Sequence, residues 1–352
     1  MKKDIVFFDT EVGIDDKKVH DIGAVRNGLF FHSANLDEFQ TFIDGAEYVC
    51  GHNIVHHDLK YVQQVEMPSK AIDTLYLSPL LFPCRPYHNL VKDDKLQSDQ
   101  LNNPLNDAQK AMQLFYDEVN AFNALNVKMK QVYCCLLYQY EEFTSFFDYV
   151  GFTPYRSNVE KLVREEYAGN ICENADVSMM IKHYPFELAY SLALIRTADY
   201  HSVSPPWLIK NYPRIDNVIK FLCHIPCEEG CLYCRDRLDI HKNLTKFFGY
   251  KEFRTYNGEP LQERAAQAAV DGKSLLAVFP TGGGKSITFQ LPALMVGECA
   301  HAENSVLALF LQSYSEDNRR ETSLTVKVFG KRFSCRKVNL ISKNGFPCIN
   351  FS

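Results

Sequence analysis

The first part of the chain alternates short apolar runs with segments whose apolar residues recur at helical spacing. The apolar runs have the length and composition of β-strands and occur in DIVFFDTE, VHDIGAVR and AEYVCGHN. The helical segments are HHDLKYVQQV and LNDAQKAMQLFYDEV. Because strands and helices alternate, the pattern predicts an α/β layered domain over residues 1–118.

The middle of the chain is mostly apolar at helical spacing and rich in Phe and Tyr. Its clearest helices are VKMKQVYCCLLYQYEEFTSFF and FELAYSLALIRTADYH, and Pro205 and Pro206 are expected to end the second. We therefore predict a helical connecting region over 119–222. A Cys-rich module follows over 223–243. From about Leu238 the pattern predicts a helix-loop-helix, then a strand (SLLAVF), a Gly-rich loop and another helix.

Composition narrows the class of protein. The chain has 352 residues, of which 46% are hydrophobic and 23% are charged, so we expect two or three globular domains. A net charge of −5 argues against a wholly basic nucleic-acid-binding protein, so any nucleic acid must be met at a local site or through metal ions. No apolar run approaches the ~20 residues that span a bilayer.

The amino-terminal sequence MKKDIVFFDTEVG lacks the features of a signal peptide, because a carboxylate interrupts its apolar stretch and no small-residue cleavage site follows. We therefore expect a cytoplasmic protein with no membrane partner. In that compartment the twelve Cys residues are expected to be thiols or metal ligands rather than disulfides. The sequence does not indicate an oligomeric state.

Four acidic residues stand on predicted rigid elements of the first domain. Asp9 and Glu11 lie two apart on a strand, so their side chains share one face. Asp58 begins a predicted helix just after a strand, and Asp107 lies on a helix with an apolar opposite face. Four such carboxylates are typical of a cage that holds two Mg²⁺ or Mn²⁺ ions for phosphodiester hydrolysis.

These residues carry a family resemblance. FDTE, then GHN followed by Asp58, then NDA resemble in order the three motifs of the DEDD (DnaQ-like) exonucleases. The resemblance covers residues 1–118 and implies an RNase H-like fold. It also implies a two-metal 3′–5′ exonuclease that acts on single-stranded DNA or 3′ ends, with RNA as the alternative. The implied metal ligands and catalytic residues are Asp9, Glu11, Asp58 and Asp107.

The sequence departs from that family at the position of the general base. Its branches place a general-base His five residues before the last Asp, or a Tyr four before it, and here these positions are Asn102 and Asn103. Neither Asn can take a proton from water. His88 is the candidate substitute, and His56 and His57 flank Asp58. A metal-bound water is already acidified, so the change is expected to slow hydrolysis rather than abolish it.

The Cys-rich module contains four Cys within twelve residues, CHIPCEEGCLYC. Their density predicts a structural Zn²⁺ site, and a four-Cys iron–sulfur cluster is the alternative. CEEGCLYC also resembles the three-Cys motif of radical SAM enzymes, but the phosphate loop that follows argues against their barrel fold. The predicted ligands are Cys223, Cys227, Cys231 and Cys234, whereas Cys134 and Cys135 are expected to pack in a helical core.

A phosphate-binding loop is predicted in SLLAVFPTGGGKSITFQLP. Backbone N–H groups of the Gly-rich loop would surround phosphate oxygens, Lys285 would reach the β/γ-phosphates, and Ser286 would hold Mg²⁺. Phe279 replaces the first Gly of the strict pattern, but PTGGGKS resembles the form in RecQ-type DNA helicases. The segment 244–296 resembles the opening of that motor, where the Gln matching Gln262 reads adenine. The predicted ATP-binding residues are Gln262, Thr281, Gly282, Gly283, Gly284, Lys285 and Ser286.

The resemblance is lost near residue 297. No Asp-Glu dipeptide follows Ser286, and the stretch 319–343 has eight Lys or Arg and one acid, Glu321. We expect a partial RecA-like motor, truncated by a frameshift near 297, and so no ATP-driven unwinding. The tail 297–352 is either out-of-frame sequence or a basic nucleic-acid arm. The alternative for the whole chain is a catalytically weak module that binds nucleic acid and ATP.

Overall fold

A computed structural model describes the chain over 3–85, 87–90, 103–155, 158–197, 205–273, 275, 277, 279 and 283–297, and over four short strands beyond. These residues form two compact units. The first contains 1–168, 176–197 and 204–218, and the second contains 169–175, 198–203 and 219–352. No helix among the described residues is long and apolar enough to cross a membrane.

The first unit contains a five-stranded mixed sheet with the order β3-β2-β1-β4-β5. Strand β1 lies at its centre, antiparallel to β2 and parallel to β4, while β3 extends β2 and β5 extends β4. This sheet with its helices confirms the predicted α/β class. The strands are β1 (Ile5–Val12), β2 (Val19–Arg26), β3 (Leu29–His32), β4 (Tyr48–Gly51) and β5 (Lys70–Asp73).

Ten helices accompany this sheet along the described chain up to residue 219. They are α1 (Leu36–Ile43), α2 (Thr74–Leu81), α3 (Pro104–Ala124), α4 (Val127–Leu137), α5 (Glu141–Val150), α6 (Val159–Glu166), α7 (Val177–His183), α8 (Pro185–Thr197), α9 (Pro206–Asn211) and α10 (Ile215–Ile219).

The second unit is helical where its side chains are described. After the segment 169–175, it contains a π-helical turn at Lys220–His224 and the helices α11 (Leu232–Arg237), α12 (Ile240–Phe248), α13 (Leu261–Val270) and α14 (Lys285–Gly297). Two hairpins follow, β6 (Leu324–Val328) with β7 (Lys331–Cys335), and β8 (Leu340–Lys343) with β9 (Phe346–Ile349).

The helix predicted over HHDLKYVQQV is wrong, because the chain forms only a 3-10 turn at Asp58–Lys60. The long helix predicted from Val127 is divided at Tyr138–Tyr140 into α4 and α5. There the Thr144 hydroxyl lies 2.6 Å from the carbonyl oxygen of Tyr138, so it can act as a donor to that group at the break.

Three further sequence predictions concern the end of α8, the burial of Cys134 and Cys135, and the strand SLLAVF. Helix α8 ends at Thr197, before the two prolines, and Pro206 instead begins α9. Cys134 on α4 is buried as predicted, and Cys135 is half-buried. The predicted strand SLLAVF is described only at Leu275, Ala277 and Phe279, which lie outside any strand.

The central strand β1 separates two packed layers. Phe8 lies 5.3 Å from Phe39 of α1, measured between ring centroids. Phe7 points to the opposite side and lies 5.5 Å from Phe115 of α3. Because side chains alternate along a strand, Asp9 and Glu11 share the face of Phe7 and are directed toward α3.

Helix α3 also carries a carboxylate into the interior. Glu118 is fully buried, and neither of its carboxylate oxygens has a hydrogen-bond partner among the described residues. Burial raises the pKa of Glu118 well above its ordinary value, and the nearby Asp73 acts in the same direction. The folded protein therefore favours the protonated, neutral form of this side chain.

We expect Glu118→Gln to flatten the dependence of stability on pH. A carboxyl group whose pKa is higher in the folded state contributes fully below its unfolded pKa, and its contribution is lost as pH rises toward the folded value. For one proton, the free energy of unfolding falls by up to about 1.4 kcal/mol per pH unit in that window. Urea unfolding between about pH 5 and pH 8 measures the slope.

The exposed Glu66→Gln is the control, and its slope should equal that of the unsubstituted protein. If Glu118→Gln and the unsubstituted protein gave parallel stability curves, the side chain would be charged or solvated, contrary to its burial.

Candidate functional site

Asp9 and Glu11 lie near the end of β1, beyond the residues that pair with β4. Strand β4 pairs with β1 only from Ile5 to Phe7. On the other side, β2 remains paired, with Asp9 opposite Gly23 and Glu11 opposite Asp21. The two carboxylates are therefore held on one face of a strand whose backbone is fixed by β2.

Asp107 is brought to this face by the first turn of α3. Asn103 caps that helix, and its side-chain oxygen accepts hydrogen bonds from the backbone N–H groups of Leu105 and Asn106. Pro104 occupies the first helical position, where its missing N–H costs no hydrogen bond. The start of α3, and with it Asp107, is thereby fixed by local sequence.

Gly23 allows α3 to approach the sheet. A Cβ at Gly23 would lie 1.9 Å from the backbone nitrogen of Leu105 and 2.2 Å from the carbonyl carbon of Pro104. Only a residue without a side chain fits against these backbone atoms. Since Gly23 is the direct partner of Asp9, the close contact places the first turn of α3 beside the carboxylates of β1.

The structure brings together three of the four predicted acidic residues. Each of Asp9, Glu11 and Asp107 offers a carboxylate oxygen, and these oxygens all lie within 4.8 Å of one another. We call these three residues the acidic cluster. Asp107 is buried and the other two are half-buried. Hard oxygen donors at this separation suit a divalent cation such as Mg²⁺ or Mn²⁺.

Asp58 lies next to the same strand but outside the acidic cluster. Its Oδ1 accepts a hydrogen bond of 2.9 Å from the backbone N–H of Thr10 and one of 2.6 Å from the Thr10 hydroxyl. Thr10 lies between Asp9 and Glu11, beyond the last residue that β4 pairs. Asp58 therefore supplies the acceptor that β4 no longer provides, and it is 2% exposed.

The loop that carries Asp58 is held by another buried carboxylate. Asp73 accepts hydrogen bonds from the backbone N–H groups of Asn53, Val55 and Leu75, at 2.8, 3.1 and 3.0 Å. Burial nevertheless raises the pKa of Asp73 to about 6, against the effect of these three donors. Asp73 thus joins the start of α2 to the segment that leads into Asp58.

The three histidines have different surroundings. His57 Nδ1 lies 3.6 Å from Asp58 Oδ1, and the charges of Asp58 and then Glu11 raise the pKa of His57. His56 lies 3.5 Å from Glu142. His88 is buried, its Nδ1 lies 2.9 Å from Ser78 Oγ, and burial lowers its pKa to about 4. His57 therefore lies beside one of the predicted acidic residues, whereas the described contact of His88 is with Ser78.

Asn102, the position that departs from the exonuclease family, lies outside the described residues, as do Thr281 and Gly282 of the phosphate loop. Asn103 is described and serves as the cap of α3.

The described part of the phosphate loop leads directly into α14, which begins at Lys285. The Tyr256 hydroxyl donates to the carbonyl oxygen of Gly283, and Gln262 Nε2 donates to that of Gly284 at 2.8 Å. Because C=O and N–H point in opposite directions across a trans peptide, these bonds direct the N–H groups of Gly284 and Lys285 the other way.

Gln262, the predicted adenine-reading residue, is buried in this structure. It is 1% exposed, and its Oε1 accepts a 2.8 Å hydrogen bond from the backbone N–H of Arg254. Both ends of its amide therefore bind backbone groups, and Gln262 joins α13 to the phosphate loop. The predicted role of reading adenine would require at least one of these bonds to open.

The Cys-rich module gathers four thiols, but they are not the four predicted. The Sγ atoms of Cys172, Cys227, Cys231 and Cys234 all lie within 4.8 Å of one another. We call these four residues the thiol cluster. Cys223, which the sequence placed in the site, is buried with its Sγ 3.5 Å from the carbonyl oxygen of Asn170. Cys172 was missed because it lies far upstream of the other three.

Backbone donors surround the thiol cluster. The backbone N–H of Cys231, followed by side-chain hydrogen bonds, lowers the pKa of Cys227 to about 6, whereas burial raises the pKa of Cys172 to about 11 and that of Cys234 further.

The chain is similar over short stretches to ATP-dependent DNA helicases of the RecQ type. It is 37% identical over 86 residues to the RecQ helicase of Synechocystis, 38% identical over 71 residues to the mouse helicase Q5, and 35% identical over 57 residues to the probable helicase RecS of Bacillus subtilis. These stretches cover 24%, 20% and 16% of this chain.

The same stretches span only 17%, 7% and 10% of the three relatives. The chain thus has a local relationship to RecQ-type helicases, which confirms that part of the sequence interpretation. No protein-family model matches the chain. No solved structure matches it either.

We expect Gly23→Ala to destabilise the first unit and to disturb the acidic cluster. The new methyl group would overlap backbone atoms of α3, so the helix must move away from β2. Overpacking of this kind costs about 1–3 kcal/mol or more in the free energy of unfolding. Urea unfolding at constant pH measures this change.

Gly28→Asn is the matched control in the adjoining hairpin. Gly28 has φ of +82°, which Asn tolerates better than most residues, and a Cβ there meets nothing within 4 Å. A loss for Gly23→Ala no larger than that for Gly28→Asn would show that the close approach at Gly23 is not required.

Proposed function

We propose that the first unit is a metal-dependent 3′–5′ exonuclease that acts on DNA ends, in a protein that also carries part of a RecQ-like helicase. The observation that carries the proposal is the acidic cluster, in which Asp9, Glu11 and Asp107 converge from β1 and α3. The mixed five-stranded sheet beneath it is compatible with the RNase H-like fold that the sequence motifs imply.

The convergence of three carboxylates favours a cation at this place. Like charges a few ångströms apart repel one another, and the repulsion is strongest where burial reduces screening by water. A divalent cation between the carboxylates removes the repulsion and uses the oxygens as ligands. Asp9 and Glu11 are half-buried, which is compatible with access of a substrate to the acidic cluster.

Asp58 is the proposed fourth acidic residue. Its Oδ1 is engaged by the two donors of Thr10, which fixes the orientation of the carboxylate. A carboxylate offers about four lone-pair sites on two oxygens, so these hydrogen bonds do not use up its capacity as a ligand. We propose that Asp58 Oδ2 contributes to a second cation position beside the first.

In the proposed reaction, water adds to the phosphorus of the terminal phosphodiester, and the bond from phosphorus to the 3′ oxygen breaks. The cations would supply an acidified water and would neutralise charge on the leaving oxygen. Asp9, Glu11 and Asp107 would hold the cations, and Thr10 would keep Asp58 in place. The local relationship to DNA helicases supports DNA as the nucleic acid.

The second proposed activity is nucleotide binding by the loop that leads into α14 at Lys285. The hydrogen bonds of Tyr256 and Gln262 turn the N–H groups of Gly284 and Lys285 in the direction opposite to α13, and these groups begin a helix. Phosphate binds favourably at such a helix start. We propose that Lys285 contacts the β/γ-phosphates of ATP and that Ser286 contacts the accompanying Mg²⁺.

We expect Asp9→Asn to reduce digestion of a single-stranded oligonucleotide from its 3′ end by at least about 100-fold. Even the residues that only hydrogen-bond to metal ligands change activity by about 10–100-fold when substituted. The assay uses a 5′-labelled oligonucleotide with Mn²⁺ or Mg²⁺ and follows products on a gel. Circular dichroism of the variant checks that the protein is folded.

The control is Asp15→Asn, which changes an exposed carboxylate a few residues further along the chain and should leave digestion unchanged. Full activity in folded Asp9→Asn would refute the nuclease proposal. If the unsubstituted protein binds the oligonucleotide but does not digest it in Mn²⁺, the alternative of a non-hydrolytic nucleic-acid-binding module is supported instead.

We expect Lys285→Ala to weaken binding of a fluorescent ATP analogue by about 10–100-fold, since a hydrogen bond to a charged group contributes about 1.5–3 kcal/mol. Fluorescence anisotropy with Mg²⁺ measures the affinity. Lys251→Ala, at an exposed lysine of the same unit, is the control and should bind normally. Equal binding by both variants would contradict a phosphate-binding role for Lys285.

A further inference from the structure

We propose that the thiol cluster of Cys172, Cys227, Cys231 and Cys234 binds one Zn²⁺ ion as four thiolates. Cys172 replaces Cys223 as the fourth ligand, so the site joins two segments of the chain that are far apart in sequence. The proposal concerns the second unit and does not depend on the nuclease activity proposed for the first.

The separations between sulfur atoms fit a single tetrahedral ion. Cys172 Sγ lies 3.8 Å from Cys231 Sγ and 3.6 Å from Cys234 Sγ. A metal–sulfur distance of about 2.3 Å in a tetrahedron places neighbouring sulfurs about 3.8 Å apart. Two neutral thiols can approach in this way, but four thiols within 4.8 Å of one another form the complete ligand set of a structural zinc site.

Donors around the cluster suit thiolate ligands. The backbone N–H of Cys231 points to Cys227 Sγ at 3.3 Å, and the backbone N–H of Cys227 points to Cys234 Sγ at 3.4 Å. The side-chain amide of Asn174 also donates to Cys227 Sγ, at 3.4 Å. Hydrogen bonds from groups around a metal site orient the ligands and stabilise their charge. These three donors could act on Cys227 and Cys234 in that way.

Cys223 is held away from the cluster by its own contacts. Its side chain is fully buried and approaches Asn170, while its backbone carbonyl accepts a 2.9 Å hydrogen bond from the Tyr233 hydroxyl. The π-helical turn at Lys220–His224 carries it. Cys223 therefore packs beside the module, and Cys172 takes the place that the spacing CHIPC had suggested for it.

The geometry favours zinc over an iron–sulfur cluster. In a four-iron cluster each cysteine binds a different iron, so the four cysteine sulfurs lie around a larger inorganic core. Here the sulfurs approach one another closely enough to share a single ion. Thiolate ligands in tetrahedral geometry select Zn²⁺ among the common divalent cations.

The proposed ion would link the segment 169–175 to the Cys-rich module, which lies far from it in the sequence. Cys172 is separated from Cys231 by 59 positions and from Cys234 by 62. The segment 169–175 belongs to the second unit although the residues on both sides of it belong to the first. One backbone hydrogen bond, from Cys172 N–H to the Leu222 carbonyl at 2.7 Å, already joins this segment to the π-helical turn, and the ion would add a much stronger link.

The test compares Cys172→Ser with Cys223→Ser in the full chain. Elemental analysis of the purified protein should give about one zinc per chain, and Cys223→Ser should retain it. In Cys172→Ser, zinc affinity measured by competition with a chromogenic chelator should fall by more than about 100-fold. Loss of zinc in Cys223→Ser but not in Cys172→Ser would overturn the proposed ligand set, and iron with labile sulfide would overturn the choice of metal.

A second measurement covers the case in which Cys172→Ser does not fold. Cobalt(II) is exchanged for zinc in the unsubstituted protein and in Cys223→Ser, and the intensity of the sulfur-to-cobalt absorption bands reports the number of thiolate ligands. Four thiolates in both proteins would support the cluster with Cys172. A decrease from four to three in Cys223→Ser would refute it.

Discussion

The contact between the first turn of α3 and the bare backbone at Gly23 is the constraint on which the first unit depends. The helix starts at a position set by Asn103 and Pro104, and it meets β2 at the residue paired with Asp9. A carboxylate in the first turn of that helix must then arrive beside those of β1. The same helix buries Phe115 against Phe7, so the packing that stabilises the sheet also determines the position of Asp107.

The sequence predicted the acidic cluster well where periodicity alone decides it. Asp9 and Glu11 share a face because strands alternate, and Asp107 lies in the first turn of a helix with clear start signals. The sequence placed Asp58 among the metal ligands, but it could not predict that Asp58 accepts from a backbone group of β1 that becomes available only where β4 ends. Strand pairing of this kind is a tertiary property that no local pattern records.

The thiol cluster shows the opposite case. The density of Cys over twelve residues predicted a group of thiols with Cys223 as its fourth member, whereas Cys223 lies on a π-helical turn with its Sγ near the carbonyl oxygen of Asn170. Cys172 is an isolated Cys in the sequence, and a separation of 59 positions from Cys231 carries no signal. The helix predicted over HHDLKYVQQV is also absent, because the chain forms only a 3-10 turn at Asp58–Lys60, where Asp58 binds Thr10 of the neighbouring strand.

The two candidate sites follow one physical logic with different chemistry. In each, a local pair or triplet of ligands is fixed by nearby backbone, and a distant residue completes the set: Asp107 beside Asp9 and Glu11, and Cys172 beside the clustered thiols. Half-buried oxygens suit ions that exchange water and contact a substrate, whereas mostly buried sulfurs with N–H donors suit an ion that stays in place. The proposed nuclease chemistry therefore belongs to the first unit, and the proposed zinc site belongs to the second.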